Sequence, residues 1–302
     1  MAFINSNSVK TTIVKEVVEG TVPTTGNRLE LPRKQGSALP SVNGGEVTSD
    51  TIRPGLNANG SRRGNQSVSV PIELNAITAD CVDLLLESAL GGTFDTDVLK
   101  AGSVGPTFSH ITELTSTEFL ITSGIAITDF TLTAEAAGAV TMSFSATGQK
   151  QVKAATVAGT LTNVSVPDTA YEYQGAEVLN VTAAGSTALN YSNLAMNIAA
   201  PKNPRNVLSS NTPKGMTASG LRASTLTLTV YRETGVDYAA LFNGEIQPFS
   251  FELGLPTYGR KFTLHGNASV PQDDTQDDMM ITITVTGAYV TSEATSLKIE
   301  KL

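Results

Sequence analysis

The sequence has few of the residues on which catalysis, disulfide frameworks and membrane insertion depend. Its 302 residues include one cysteine, Cys81, two histidines, His110 and His265, and no tryptophan. A single cysteine excludes an internal disulfide and favours folding in a reducing compartment. No run of about 18 apolar residues occurs, so no membrane-spanning helix is predicted. The first 20 residues also lack the basic and apolar segments of a secretory signal.

Charged residues are also scarce, at 16% of the chain, and acidic residues outnumber basic ones to give a net charge of −8. Binding to phosphates requires concentrated lysine and arginine, so this balance argues against a protein that grips nucleic acid. The charge balance does not exclude a protein that lets nucleic acid pass without binding it. Threonine, serine, asparagine and 26 glycines favour strands and turns over helices, which predicts an all-β chain.

The few reactive side chains are not arranged as a catalytic or metal site. His110 and His265 have no cysteine, second histidine or acidic partner at metal-ligand spacing, so we interpret them as strand histidines. Cys81 lies on the apolar face of a predicted helix and is interpreted as a core residue. The acidic cluster PQDDTQDDMM (271–280) lacks the glycine and the last acidic ligand of a calcium loop, so we interpret it as a hairpin tip. We predict no catalytic, metal or cofactor site, and no enzyme.

One stretch of sequence occurs twice, 160 residues apart. Residues 53–70, RPGLNANGSRRGNQSVSV, align with residues 213–230, PKGMTASGLRASTLTLTV. Over the slightly longer window that starts at residue 49, six of twenty-two aligned positions are identical. The alignment indicates an internal duplication.

The elements that follow the repeat have the same order in both copies. SVSVPIEL (67–74) and STLTLTVY (224–231) alternate apolar and polar residues as half-buried strands do. Thr78 is predicted to cap a helix that stops at Gly91, and TGVDYAALFNG (234–244) predicts its counterpart. Further strands are predicted at the end of each half: FLI, IAITDFTLTA and VTMSFSATG in the first, and FSFELGL, KFTLHGNASV and MITITVTG in the second. The polar tail after Gly287 is expected to form an arm or a final edge strand. The recurring order of elements supports two similar domains in tandem.

We place these domains at residues 1–155 and 156–302. Long loops rich in glycine, proline, asparagine and serine precede the repeated strand, at about 30–66 and 199–223, and loops of this length are usually functional. We expect them to reach a neighbouring subunit or ring through their cations, which are Arg53, Arg62, Arg63, Lys214 and Arg222.

Three stretches and one helix carry a family resemblance. The stretches are IVKEVVEGTVPTTGN, SDTIRPGLNANGSRRGNQSVSVPIEL and ITDFTLTAEAAGAVTMSFSATG, and the helix is DCVDLLLESALGG. Together they resemble the major tail tube protein of long, non-contractile bacteriophage tails, over nearly the whole chain. The resemblance implies two tail-tube-type β-sandwich or half-barrel domains, each with one short flanking helix.

The resemblance also implies a function. The chain would be a structural virion protein that assembles into stacked rings. Each ring would be a trimer with pseudo-hexameric symmetry, and DNA would pass through the resulting tube. Its partners would be further copies of itself, other tail proteins at the tube ends, and double-stranded DNA in transit without specific binding. Assembly would occur in the host cytoplasm, without cofactor or membrane insertion. We expect the acidic cluster to face the lumen and repel phosphate, through Asp273, Asp274, Asp277 and Asp278.

The alternative interpretation is a monomeric two-domain β-sandwich that serves as a binding or adhesion module. Composition alone does not separate the two. Aromatic residues make up only 6% of the chain, and Tyr171 and Tyr173 are their only close pair, whereas carbohydrate-binding sandwiches usually expose several aromatic platforms. The low aromatic content and the paired loops therefore favour assembly.

Overall fold

The computed structural model describes residues 5–48, 52–53, 57–58, 60–168, 170, 172–183, 189–233, 244–254, 258–269, 272–274 and 279–302. Strands dominate these residues, and the predicted all-β class is confirmed. The front half contains β1 (Lys10–Lys15), β2 (Thr25–Glu30), β3 (Ser41–Thr48), β4 (Ile52–Arg53), β5 (Asn57–Ala58), β6 (Ser61–Asn75), helix α1 (Asp80–Leu90), β7 (Val98–Lys100), β8 (Phe108–Thr115), β9 (Glu118–Glu135), β10 (Thr141–Gly148) and β11 (Lys150–Ala154).

The back half contains the remaining strands. They are β12 (Thr160–Val164), β13 (Val178–Ala183), β14 (Tyr191–Ala199), β15 (Lys202–Pro204), β16 (Met216–Ala218), β17 (Ala223–Tyr231), β18 (Gln247–Leu253), β19 (Arg260–Ala268), β20 (Gln272–Asp274), β21 (Met280–Gly287) and β22 (Leu297–Lys301). Two short 3-10 turns occupy Ser6–Ser8 and Gly175–Glu177.

The strands predicted at 67–74 and 224–231 lie within β6 and β17. Their apolar residues are buried and the intervening polar residues are not, because alternate side chains of a strand point to opposite faces. The buried residues are Val68, Val70, Ile72 and Leu74 in β6 and Leu226, Leu228 and Val230 in β17. The segments FLI and IAITDFTLTA, predicted as separate strands, form the single strand β9.

Helix α1 confirms the predicted helix but not its predicted cap. Ala79 occupies the N-cap position without a side-chain hydrogen bond, while Thr78 Oγ1 donates to the Tyr258 carbonyl at 2.7 Å. A contact with the back half therefore takes the place of a local cap. Gly91 ends the helix at φ 69°, a left-handed conformation that glycine adopts without strain. The counterpart helix was predicted on residues 234–243, which lie outside the described residues.

One long antiparallel sheet, termed the central sheet, runs through both halves. Its strand order is β3–β6–β10–β9–β14–β17–β21–β20. The pairing of β9 with β14 joins the halves, with residues 129–135 opposite residues 193–199. The sheet is therefore continuous across the predicted domain boundary.

Two smaller layers pack against the buried face of the central sheet. The first has the order β11–β9–β8–β1–β2–β12, and the second has the order β7–β22–β19–β18–β13. Apolar residues of both layers, of α1 and of the central sheet form one main core cluster. The stacked pairs Phe130–Phe144 and Phe251–Phe262 lie in this core, with ring centroids 4.6 and 4.8 Å apart.

Strand pairing follows the same plan in the two halves. The front pairs are β1–β8, β8–β9, β9–β10, β10–β6, β6–β3 and β9–β11. The back pairs, in the same order, are β13–β18, β18–β19, β19–β21, β21–β17, β17–β14 and β19–β22. The division at residue 155 itself stays a prediction, since β12, which follows it, pairs with β2 of the front half.

The pairing also corrects the repeat offset. If Gly148 and Gly287, which end β10 and β21, occupy the same position, the registers equate Ser69 with Thr225, an offset of 156. The gapless alignment at 160 is therefore four residues out of register. Four is an even number, so the wrong offset still placed apolar residues opposite apolar ones.

Two other expectations were wrong in detail. The stretches 30–66 and 199–223, expected as long loops, contain paired strands: β3 with the start of β6, and β15 with β16. The polar tail, expected as an arm or an edge strand, forms β22, which is paired on both sides, with β19 and β7.

Candidate assembly surfaces

Both ends of the central sheet are open edges within the described part of the chain. There, β3 pairs only with β6, and β20 pairs only with β21. An open edge presents unpaired N–H and C=O groups, which favour pairing with another chain. Because the two edges terminate the same sheet at opposite ends, their geometry allows head-to-tail addition of copies.

The β9–β14 junction shows how the two halves meet edge to edge. On the buried face, Ile198 lies opposite Phe130, and Met196 lies opposite Leu132. On the other face, Asn197 Nδ2 donates to Asp129 Oδ1 at 3.1 Å. The junction thus combines an apolar core contact with a polar contact on the opposite face.

The face of the central sheet opposite the core, termed the polar face, is lined mainly by small uncharged polar side chains. Its described members include Ser69, Pro71, Glu73, Asn75, Asp129, Thr131, Thr133, Glu135, Thr141, Ser143, Ser145, Thr147, Asn193, Ala195, Asn197, Thr225, Thr227, Thr229, Tyr231, Met280, Thr282, Thr284 and Thr286. These residues include no lysine or arginine and three carboxylates. Such a surface offers hydrogen bonds but no cation to hold a phosphate.

The front arm is defined as residues 45–64. In its described part, β3 and β6 stay paired as far as Thr48 and Ser61, past Val68, where the pairing of β6 with β10 ends. Arg62 is exposed and lies opposite Val47, while the backbone of Arg63 lies opposite that of Glu46. The backbone of Arg53 is in β4. Their expected contacts with neighbouring subunits stay a prediction.

The back arm, defined as residues 201–222, is held against its own chain. Met216 N donates to Glu19 Oε1 at 2.6 Å, and Gln66 N donates to the Asn211 carbonyl at 2.9 Å. Lys214 is exposed, whereas Arg222 is partly buried and its Nη1 donates to the Gly102 carbonyl at 3.1 Å. Of the two cations expected to reach a neighbour from this segment, Arg222 is thus already engaged within the chain.

A buried carboxylate fixes the bend at which β9 passes from the first layer to the central sheet. Glu16 accepts hydrogen bonds from Gly20 N and Gly124 N, both at 2.8 Å, and from Ser109 Oγ at 2.6 Å and Thr107 Oγ1 at 2.8 Å. Gly124 has φ 66°, which favours glycine. Sequence reasoning missed Glu16, because nothing in the sequence indicates that these four donors converge.

Of the three candidate reactive residues, His110 and Cys81 are buried and His265 is partly buried. His110 lies in β8 and is buried, and this burial, together with the charge of Arg33, lowers its pKa to about 4. Cys81 is buried in α1 as predicted, and burial raises the pKa of its thiol to about 12. His265 lies in β19. Among the described residues, no three or more histidine, cysteine, aspartate or glutamate side chains cluster as metal ligands.

The acidic cluster is only partly described. Asp273 and Asp274 belong to β20, whose pairing with β21 is that of a hairpin, while Asp277 and Asp278 lie outside the described residues. Their position at the lumen stays a prediction.

Ion pairs connect α1 to the back half. The guanidinium of Arg260, in β19, pairs with Asp83, and Lys301 Nζ lies 2.8 Å from the second Asp83 carboxylate oxygen. Arg260 is buried, so losing Asp83 would leave its charge without a partner in the core. These contacts join the helix to β19 and to the C-terminal strand β22.

Open sheet edges and a fold built almost entirely of strands are typical of proteins that assemble through their sheets. The family model of phage tail tube proteins matches residues 6–287. The chain therefore belongs to the phage tail tube protein family, and it is a structural component of the virion tail. No curated protein matches the chain. In the part of the chain that is described, no helix has the length and apolar character needed to cross a membrane.

Proposed function

We propose that three copies of this chain close into a ring of six similar domains, that rings stack into the tail tube, and that DNA leaves the capsid through it. Each chain contributes two domains, 1–155 and 156–302. Assembly takes place in the host cytoplasm, and other tail proteins bind the two tube ends.

The observation that carries this proposal is the repeated pairing plan with an unused edge at each end. The β9–β14 junction already joins one half to the next by antiparallel pairing. A head-to-tail contact of this kind produces a closed ring when its rotation closes. Closure also removes the open edges, which a soluble sheet protein otherwise has to protect.

The expected dimensions support DNA passage. The central sheet has eight strands in the described part of the chain, so three chains supply twenty-four. At about 4.8 Å per strand the circumference is about 115 Å before strand tilt enlarges it. This gives a diameter of roughly 37 Å between opposite backbones, which leaves room for side chains and a DNA duplex.

The polar face supplies a suitable wall for the lumen. Its hydroxyl and amide groups are uncharged, and its described carboxylates repel phosphate. Without lysine or arginine on this face, DNA gains no counterion-release energy from contact and can slide.

The test of this proposal is direct imaging of the purified chain. We expect sedimentation velocity at rising concentration to show trimers and larger assemblies, and negative-stain microscopy to show rings or tubes with threefold symmetry. A chain that stays strictly monomeric over a wide concentration range would instead support the binding-module interpretation.

A cation placed on the polar face is expected to slow DNA release. Thr227 lies opposite Thr284 near the middle of the back half of the central sheet, so Thr227→Lys adds one positive charge per chain to the proposed wall. We expect virions that carry this variant to eject DNA several-fold more slowly at low salt, with the difference shrinking as salt screens phosphate contacts.

The control is Thr227→Gln, which has a long neutral side chain at the same position. It should eject at close to the wild-type rate. Equal ejection rates for the lysine and glutamine variants at all salt concentrations would contradict the proposal that the polar face lines the lumen.

A further inference from the structure

We propose that neighbouring copies join by antiparallel pairing of β3 with β20 of the partner subunit, with Ser41 opposite the partner's Gln272. This inference rests on the proposed ring and specifies its contact: which edges meet, in which direction and in which register. We take the register from the β9–β14 junction, because this junction is the equivalent contact between the two halves of one chain.

Strands β19 and β20 together correspond to β9. In each half these residues lead from a flanking layer into the central sheet. At that point they contain one residue more than the strand opposite them, so the register shifts by one. In the front half the gain lies between Ile127 and Asp129, opposite β10. In the back half it lies between Ala268 and Gln272, opposite β21. The same irregularity at the same place fixes the correspondence.

Gln272 then occupies the position of Thr131. Thr131 pairs with Ser143, and Gln272 pairs with Thr282. Ser143 and Thr282 each lie five residues before the glycine that ends their strand. The open backbone edge of β20 at Gln272 is therefore equivalent to the edge of β9 at Thr131, which pairs with β14.

The opposite edge is matched in the same way. Ser69 lies opposite the residue before Gly148, and Thr225 lies opposite the residue before Gly287. Ser41 pairs with Ser69, and Asn197 pairs with Thr225. Ser41 thus occupies the position of Asn197, and β3 presents the edge that β14 presents to β9.

The two correspondences together give the contact between chains. Within the chain, Asn197 lies opposite Thr131. Replacing each residue by its equivalent places Ser41 opposite the partner's Gln272. Both edges are unpaired within the described part of one chain, so nothing in the described fold has to be displaced at these strands.

The type of pair follows from the hydrogen bonds at the ends of the junction. Ala200 N donates to the Thr128 carbonyl at 2.8 Å, and Ala136 N donates to the Ser192 carbonyl at 3.1 Å. In this junction the even-numbered residues therefore form the hydrogen-bonded pairs, and the odd-numbered residues form the non-hydrogen-bonded pairs. Asn197–Thr131 is one of the non-hydrogen-bonded pairs. Such pairs bring Cα atoms to about 4.5 Å, within the range that a disulfide spans.

The test is disulfide trapping in assembled particles. In the variant Ser41→Cys/Gln272→Cys, each chain carries both partners, so mild oxidation should link a three-chain ring into a covalent trimer on non-reducing gels. The native thiol of Cys81 is buried and does not compete. Particles kept reduced should match those of the unmodified chain in the microscope.

The matched control is Asn43→Cys/Gln272→Cys, which shifts one cysteine by two residues along the same face of β3. Diagonal positions lie about 7–8 Å apart, so we expect about tenfold less cross-linking. A mixture of the two single variants should give dimers only, because each chain then has one reactive edge.

The outcomes separate this inference from the function on which it rests. Particles that form normally but cross-link equally in both double variants would overturn the register. Homodimers from either single variant alone would overturn the head-to-tail contact. Failure of the unmodified chain to form particles would overturn the proposed function as well.

Discussion

Replacement of residues 49–60 by Asn-Gly is expected to leave the chain folded and able to form rings, but unable to stack them into tubes. Thr48 and Ser61 form the last pair of the β3–β6 hairpin, so a two-residue type I′ turn closes it without disturbing the pairs below. The change removes the part of the front arm that we propose to contact the next ring. Sedimentation velocity and negative-stain microscopy of the two proteins at equal concentration measure the loss.

A second variant distinguishes the length of this segment from its chemistry. Replacing residues 49–60 by glycine and serine at unchanged length should also prevent stacking if specific side chains make the contact. Normal tubes from the Asn-Gly variant would refute the stacking role. Loss of rings as well as tubes would instead place the front arm in the contact within a ring.

Glu16→Ala is expected to lower the free energy of unfolding by about 3–5 kcal/mol, because it leaves four converging hydrogen-bond donors unsatisfied in a buried site. The site lies at the bend of β9, so the effect extends to the strand that joins the layers. Urea unfolding of the chain under conditions where it is monomeric gives this difference directly.

The control for Glu16 is Glu113→Ala. Glu113 is a partly exposed carboxylate 3.6 Å from Arg28 Nη2, and exposed pairs of this kind contribute less than about 1 kcal/mol. If the two variants lost the same small amount of stability, the hydrogen bonds of Glu16 would be ordinary surface contacts.

The strands of the repeat could be predicted from the sequence, because burial of one face of a strand makes apolar residues recur at every second position. Val68 and Val70, like Leu226 and Leu228, show that period without help from any distant residue. The burial of Cys81 and the end of α1 at Gly91 were predicted for the same reason, since each depends on a few neighbouring residues.

The sites were harder to predict, because their contacts are distant in sequence. Arg222 belongs to a glycine-rich stretch and was interpreted as a cation that reaches outward, yet its guanidinium contacts Gly102. Thr78 has the side chain of a helix cap, yet it bonds the carbonyl of Tyr258. In both cases a partner more than 100 residues away took the place of a local role.

The sequence by itself determined the all-β class, the twofold plan and the membership in the tail tube family, because composition, alternation and motif order are local properties. Only the tertiary structure decided that the halves share one sheet, that the repeat offset is 156, and that β3 and β20 each keep one open edge within the described residues. Register depends on which strands become neighbours, and a shift by any even number of residues keeps the same side chains on the same face. The pattern of side chains therefore could not distinguish among these registers, whereas backbone hydrogen bonds between strands do.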